Sequence, residues 1–165
     1  MCICKQCAQL ARSCCLSRDI ILTTGDINRI KDHSGQHDFF EYRRPASLAY
    51  IEQDDDPNWN SYTLIPPGRD HRRVLRHGAG QTCHFLASNG CELPPAVRPL
   101  VCRIHPVQFT ELRITGLANE CPVELLPPGE SLLENLQMSV AVVEGLRMQL
   151  YDELRDEWFT FPKAA

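Results

Sequence analysis

The sequence predicts an α+β fold in one small domain, and three observations carry the prediction. Five of the nine cysteines fall within the first fifteen residues, and the other four lie between residues 83 and 121. Around these clusters, short runs of strand-forming residues are cut by Gly- and Pro-rich turns, which leaves room only for brief strands and hairpins. Near the end of the chain, apolar residues recur at three- and four-residue intervals, the spacing of an amphipathic helix. A chain of 165 residues is an ordinary size for one domain and long enough to bury a core.

The elements follow in order. Ile20 to Leu22 form a short apolar stretch, either a brief strand or a staple into the next helix. Thr24 is a suitable N-cap with Asp26 in the first turn, and the helix runs over residues 25–33, with Ile27 and Ile30 inward and an end near Gly35. Phe39, Phe40 and Tyr42 read as core anchors. His33 and His37 are four apart, but Gly35 interrupts any helix that would pair them as ligands. Asp54-Asp55-Asp56-Pro57 reads as a solvated loop, because the alternating ligands and the Gly and Glu of a calcium loop are missing.

Tyr62 to Ile65 predicts a strand closed by Pro66-Pro67-Gly68, and the arginines between Arg69 and His77 read as the decoration of a strand through Val74 and Leu75. Gly78-Ala79-Gly80 turns the chain into Thr82-Cys83-His84-Phe85-Leu86, a hairpin; as a phosphate loop it lacks a third glycine and a following helix. A second turn, Ala87 to Gly90, brings Cys91 close to Cys83, and Pro94, Pro95 and Pro99 keep the next segment extended or bent. Residues 107–117 alternate like a strand. After the breaker Pro127-Pro128-Gly129, Ser131 and Glu134 form a capping box. Leu136, Val140, Val143, Leu146, Leu150, Leu154 and Trp158 then predict one amphipathic helix of about 28 residues, which covers the core and leaves room for a protein partner or homo-oligomer contact.

Charge and hydropathy exclude several function classes. A net charge of -4 argues against a general nucleic-acid binder, which needs a basic face. No run approaches a membrane span, and the first residues lack the apolar region of a signal peptide, so a cytoplasmic location is expected. In a reducing compartment a dense cysteine set reads as metal-binding or catalytic rather than as disulfides. Small buried thiols are common, but five in fifteen residues beside Lys5, Gln6, Arg12 and Ser13 do not look like a core.

Cys4-x2-Cys7 has the spacing of a metal knuckle, whose tight turn aims two sulfurs at one ion. No second C-x-x-C follows, which disfavours a rubredoxin or zinc-ribbon site, and the bacterial ferredoxin spacing is absent as well. Cys14 and Cys15 are adjacent, so their side chains are expected to diverge. They suit two metals, or one ligand and one supporting thiol, better than one tetrahedral ion.

The combination of Cys4-x2-Cys7, Cys14-Cys15, the stretch Leu22-Thr-Thr-Gly-Asp-Ile-Asn-Arg-Ile30, Cys83-His-Phe-Leu86, Cys91, Arg98-Pro-Leu-Val-Cys102-Arg103-Ile-His-Pro106 and Cys121-Pro122 resembles the CxxCxxCC cysteine-cluster family of zinc- or iron-chelating domains. That family includes flagellin lysine-N-methylases. The resemblance spans residues 4–122 and implies metal ligands at Cys4, Cys7, Cys14, Cys15, Cys83, Cys91, Cys102 and Cys121. Residues 1–125 would then be the metal-binding part, with residues 126–165 packing on it in the same domain. Two features depart from the family pattern. Six residues separate Cys7 from Cys14, where the family's name implies two, and His105 stands where an aromatic residue is more usual. His105 is either a ligand or proton donor, or a packed, hydrogen-bonded side chain.

Thiolates select zinc or iron–sulfur clusters over magnesium or calcium. Arg98 and Arg103 suit either as cofactor-binding groups, since nearby positive charge favours ionised sulfur. The irregular spacing fits no common zinc module, which favours a 4Fe–4S cluster over zinc. Two function classes stay open. One is a redox or sensing module or a structural zinc protein; the other is an enzyme resembling the flagellin methylases, against which the lack of a glycine-rich cofactor loop counts.

Overall fold

The computed structural model describes residues 3–10, 14–16, 18–45, 52, 54–66 and 68–160. Helix α1 (Ile3–Gln9) opens the chain. Its first residue is buried, and the Ile3 N–H donates to Asn135 Oδ1 at 2.8 Å. Helix α2 (Thr24–Ser34) follows, capped by Thr23 rather than Thr24. The Asp26 N–H donates to Thr23 Oγ1 at 2.9 Å and the Thr23 N–H to Asp26 Oδ2 at 3.1 Å. That reciprocity needs the carboxylate three residues after the cap, which fixes the cap one position earlier than expected. Ile27 and Ile30 face inward as predicted, and Gly35 ends the helix with φ 67, a left-handed conformation that glycine adopts without penalty.

Strand β1 (Phe40–Arg43), helix α3 (Pro57–Thr63), strand β2 (Leu64–Ile65) and strand β3 (His71–Leu75) come next. They form an antiparallel sheet in the order β1–β3–β2, with Phe40 opposite Leu75 and Leu64 opposite Arg72. The strand expected over residues 62–65 shrinks to two residues, because Pro57 at the first helical position starts a helix there. Asp56 is not a solvated loop residue: it is 7% exposed and accepts from the Tyr151 hydroxyl and from the Glu111 N–H. Arg72 and Arg73 do not decorate their strand either. Both are buried, Arg72 donating to Asn60 Oδ1 at 2.5 Å and Arg73 to the Leu22 carbonyl at 2.9 Å and to Glu157 at 2.5 Å. Of the three expected aromatic anchors, Phe39 is fully buried and Phe40 packs partly, while Tyr42 is exposed.

After a 3₁₀ turn at Ala79–Gln81, the chain returns through an isolated bridge between His77 and Cys83. Strands β4 (Leu86–Ala87) and β5 (Gly90–Cys91) make a small hairpin, with Leu86 opposite Cys91. Helix α1 lies against β5, where a Cβ on Gly90 would meet Lys5 Cγ at 3.7 Å. The segment that the prolines were expected to keep extended or bent turns through residues 95–98 and leads into helix α4 (Leu100–Ile104), which was not expected. Pro99 has φ -48, close to the helical value, and its carbonyl accepts from the N–H groups of Cys102 and Arg103. The stretch over residues 107–117, expected as one strand, folds back on itself as an antiparallel pair, β6 (Val107–Phe109) and β7 (Ile114–Leu117).

The final apolar pattern makes two helices, α5 (Leu132–Asn135) and α6 (Val140–Thr160). The capping box of Ser131 and Glu134 is present. Gln137, at φ 55, breaks the single helix that the period predicted, and Ser139 restarts it by accepting from the Val142 N–H at 3.3 Å. No helix among the described residues is long and apolar enough to cross a membrane.

Two apolar cores result. The first joins Leu22, Ile27, Ile30, Phe39, Leu75, Cys83, Phe85 and Leu93. The second joins Leu100, Ile104 and Val107 to Val143, Leu146, Leu150 and Leu154 of α6. Cys83 belongs to the first core, and Cys15 and Cys91 pack against it.

Candidate metal centre

Cys15 is the focus of the thiol arrangement. Cys14 and Cys15 lie in a turn whose exit is fixed by the main chain: the Cys83 N–H donates to the Cys15 carbonyl at 2.8 Å, and Leu16 bridges Thr82. The Cys15 side chain is in hydrogen-bonding contact with both Cys14 and Cys83. The adjacent thiols therefore do not diverge. Cys4, Cys91 and Cys102 lie within electrostatic reach of this group: Cys4 and Cys102 act on Cys14, and Cys15 and Cys91 act on Cys102. Four separate pieces of chain thus bring sulfur to one region: α1, the turn at residues 14–15, the Cys83–Cys91 hairpin region and α4.

The C-x2-C pair behaves differently from the knuckle the sequence suggested. Cys4 and Cys7 are three apart on helix α1, not in a tight turn. Cys4 belongs with the group around Cys15, whereas Cys7 acts on Cys121. Cys121 also contacts His105, with Sγ and Nε2 3.7 Å apart. Cys2 lies outside the described residues.

The electrostatics of these thiols has one direction. Contact with Cys15 and then burial push Cys14 and Cys83 well above the ordinary thiol range. Burial does the same to Cys102 and raises Cys91 and Cys121. Crowded thiols in a low-dielectric setting resist ionising together, and a bound cation is what reverses that preference. Arg98 works in the same sense. It hydrogen-bonds Cys91, lowers both Cys91 and Cys102 electrostatically, and is itself held by donating from Nε to the Leu93 carbonyl at 2.9 Å. The charges that act on Arg103 are those of Arg29, Asp26 and Glu153, with no cysteine among them. His33 and His37 are exposed.

Asp26, whose side chain starts helix α2, also holds the start of α4 in this region. The Asp26 side chain is fully buried and accepts at Oδ1 from the Leu100 N–H at 3.0 Å and from Arg29 at 2.7 Å. It thereby fixes the start of α4, two residues before Cys102. The reciprocal pattern Thr23-Thr-Gly-Asp26 was the available signal for its position.

The donor types fit a thiophilic metal: soft sulfurs from four pieces of chain in one neighbourhood, with the Arg98 guanidinium beside Cys91. Among the described residues, no three Cys, His, Asp or Glu side chains are already drawn to one point at metal-bonding distance. The residues present thus match a zinc or iron centre in kind and neighbourhood.

A family model named CxxCxxCC, described as “Putative zinc- or iron-chelating domain”, matches residues 3–122. No curated protein and no solved structure matches the chain.

Proposed function

The chain belongs to the CxxCxxCC family of zinc- or iron-chelating domains, and from that premise we propose that it is an iron–sulfur redox or sensing module. The ligands in this reading are drawn from Cys4, Cys7, Cys14, Cys15, Cys83, Cys91, Cys102 and Cys121. One observation carries it. Cys4, Cys14, Cys83, Cys91 and Cys102 all lie within contact or electrostatic reach of Cys15 or its neighbour Cys14, enough soft donors for the four that a cluster needs. Their irregular spacing along the chain, which fits no common zinc module, favours the cluster over zinc.

When bound, such a cluster supplies one-electron chemistry. The chain contributes the rest. Arg98 offsets negative charge at Cys91 and Cys102, and Asp26 fixes the helix that presents Cys102. The first core shields Cys83 and packs against Cys15 and Cys91. Shielding and nearby positive charge are the levers by which a protein sets a cluster's potential.

The test is elemental analysis for iron, sulfide and zinc on the chain purified without oxygen, with its visible spectrum. Iron and sulfide in equal amounts, with charge-transfer bands that bleach reversibly on reduction, are expected. Zinc alone in a colourless protein would replace this reading by a structural one.

A further inference from the structure

The geometry points to a disulfide between Cys15 and Cys83, formed in the metal-free chain by exchange with a low-molecular-weight disulfide, as a gate on metal loading. The bond itself stands apart from the metal-binding reading above. Only its effect on loading rests on that reading.

The main chain gives the first argument. Leu16 bridges Thr82 in the antiparallel sense, and the Cys83 N–H donates to the Cys15 carbonyl at 2.8 Å. Cys15 and Cys83 are therefore directly opposite, one position out from that bridge on both sides, although 68 positions separate them in sequence. A hydrogen-bonded antiparallel pair holds its Cα atoms about 5.5 Å apart, inside the roughly 4.4–6.8 Å that a disulfide spans. The side chains meet as well: Cys83 is in the first core, Cys15 packs against it, and the two thiols are in hydrogen-bonding contact. Cys15 and Cys83 are both reduced in the structure.

Spacing removes the nearest competitor. Cys14 also touches Cys15. Consecutive Cα atoms across a trans peptide are about 3.8 Å apart, however, too close for an unstrained disulfide.

Exposure orders the chemistry. Cys83 is 6% exposed and Cys15 is partly exposed, so an oxidant meets Cys15 first. The Cys15 sulfur attacks one sulfur of a disulfide such as oxidised glutathione. A mixed disulfide forms, and the first glutathione leaves with the proton that Cys15 gave up. The Cys83 sulfur then attacks the Cys15 sulfur, and the second glutathione leaves with the Cys83 proton. Two protein thiols are oxidised and one external disulfide is reduced. Contact with Cys15 and burial disfavour the Cys83 thiolate, which makes the second step the slow one. Sulfurs joined to each other offer no thiolate to a metal, and Cys15 is the thiol around which the others gather.

Peptide mapping tests this. The full-length chain, stripped of metal, is incubated with reduced and oxidised glutathione at increasingly oxidising ratios, then alkylated, digested and analysed by mass spectrometry without reductant. A Cys15–Cys83 cross-link is expected, preceded by a glutathione adduct on Cys15, and Cys14→Ser should form the same cross-link. The oxidised chain should bind zinc(II) at least about tenfold more weakly and regain its affinity with dithiothreitol. A wild-type chain that forms no cross-link, or that joins Cys15 to Cys14, Cys4 or Cys91, overturns the proposal, and neither result needs a variant to fold. A cross-linked chain that binds zinc(II) as tightly as the reduced one overturns the gate. A reduced chain that takes up neither zinc nor iron removes the metal-binding reading and, with it, the gate, while the mapped bond stands.

Discussion

The main-chain N–H of Leu100 donates to Asp26 Oδ1 across 3.0 Å, although the two residues are 74 positions apart. Asp26 belongs to the helix of the first core, and Leu100 is buried in the second. A single buried carboxylate therefore joins the capping box of α2, the start of α4 and the Arg29 guanidinium. Removing it leaves buried donors without an acceptor. Asp26→Ala should cost about 1–3 kcal/mol in urea melts and reduce metal retention through Cys102. Asp26→Asn keeps an oxygen acceptor and should lose less. An Ala variant equal to wild type in both measurements would break this link.

Gly25 sits under the Glu153 carboxylate, where an added Cβ would come within 2.5 Å of Glu153 Cδ. Glu153 is engaged by Arg29 at 2.7 Å, by Gln149 at 2.8 Å and by the Thr23 hydroxyl. Gly25→Ala should displace it and destabilise the chain by roughly 1 kcal/mol or more. In a Glu153→Ala background the same change should be neutral or mildly stabilising, since alanine is the better helix former. The measurement is a double-mutant cycle, and additive effects would contradict the contact.

Acid should expose the same carboxylate. Burial raises the Glu153 pKa, but hydrogen bonds from Arg29, Thr23 and Gln149 outweigh burial and leave it below the usual range. A depressed folded-state value contributes stability above the unfolded pKa, and that contribution is lost as pH falls through the folded one. Glu153→Gln should therefore lose less stability than wild type between neutral pH and the acid side of that window. Parallel pH profiles from denaturant melts would refute the assignment.

The two arginines flanking α4 should differ. Arg98 reaches Cys91 and Cys102, while Arg103 faces Arg29, Asp26 and Glu153. Voltammetry of the cluster-loaded chain should show Arg98→Ala lowering the reduction potential, because the more anionic reduced state loses a favourable charge. Arg103→Ala should shift it less. The reverse order would place Arg103 nearer the metal than its charge neighbours indicate.

The family match begins at residue 3, which leaves Cys2 outside it. Cys2→Ser should retain full metal content, whereas Cys15→Ser should lose the centre around which the other thiols gather. Elemental analysis of the two purified variants decides, and equal losses would reject the division.

Local signals in the sequence were legible where a few neighbouring residues decide the outcome. The Ile27 and Ile30 face, the Gly35 stop, the capping box of Ser131 and the strand character of residues 107–117 all follow from short-range chemistry, although the turn that makes those residues a hairpin was not read. Burial of polar groups was not legible, because it depends on distant partners. Arg73 reads as a surface charge until Glu157 and the Leu22 carbonyl are placed beside it, and Asp56 until Tyr151 is. Helix α4 was hidden by its prolines, which mark a helix start as well as a bend. For the thiols, the pattern named the residues, but it could not separate Cys4 from Cys7, whose partners are set by which way each turns from α1.

The second core gives the chain a boundary that its cysteine motif does not mark. The matched region stops at residue 122, yet Val143, Leu146, Leu150 and Leu154 beyond it cover Leu100 and Ile104. A fragment cut at the motif's edge would present those two residues to water on the very helix that carries Cys102. The matched region is thus smaller than what packs together here. Transplanting the motif into another protein would require a substitute for α6 as well as the cysteines.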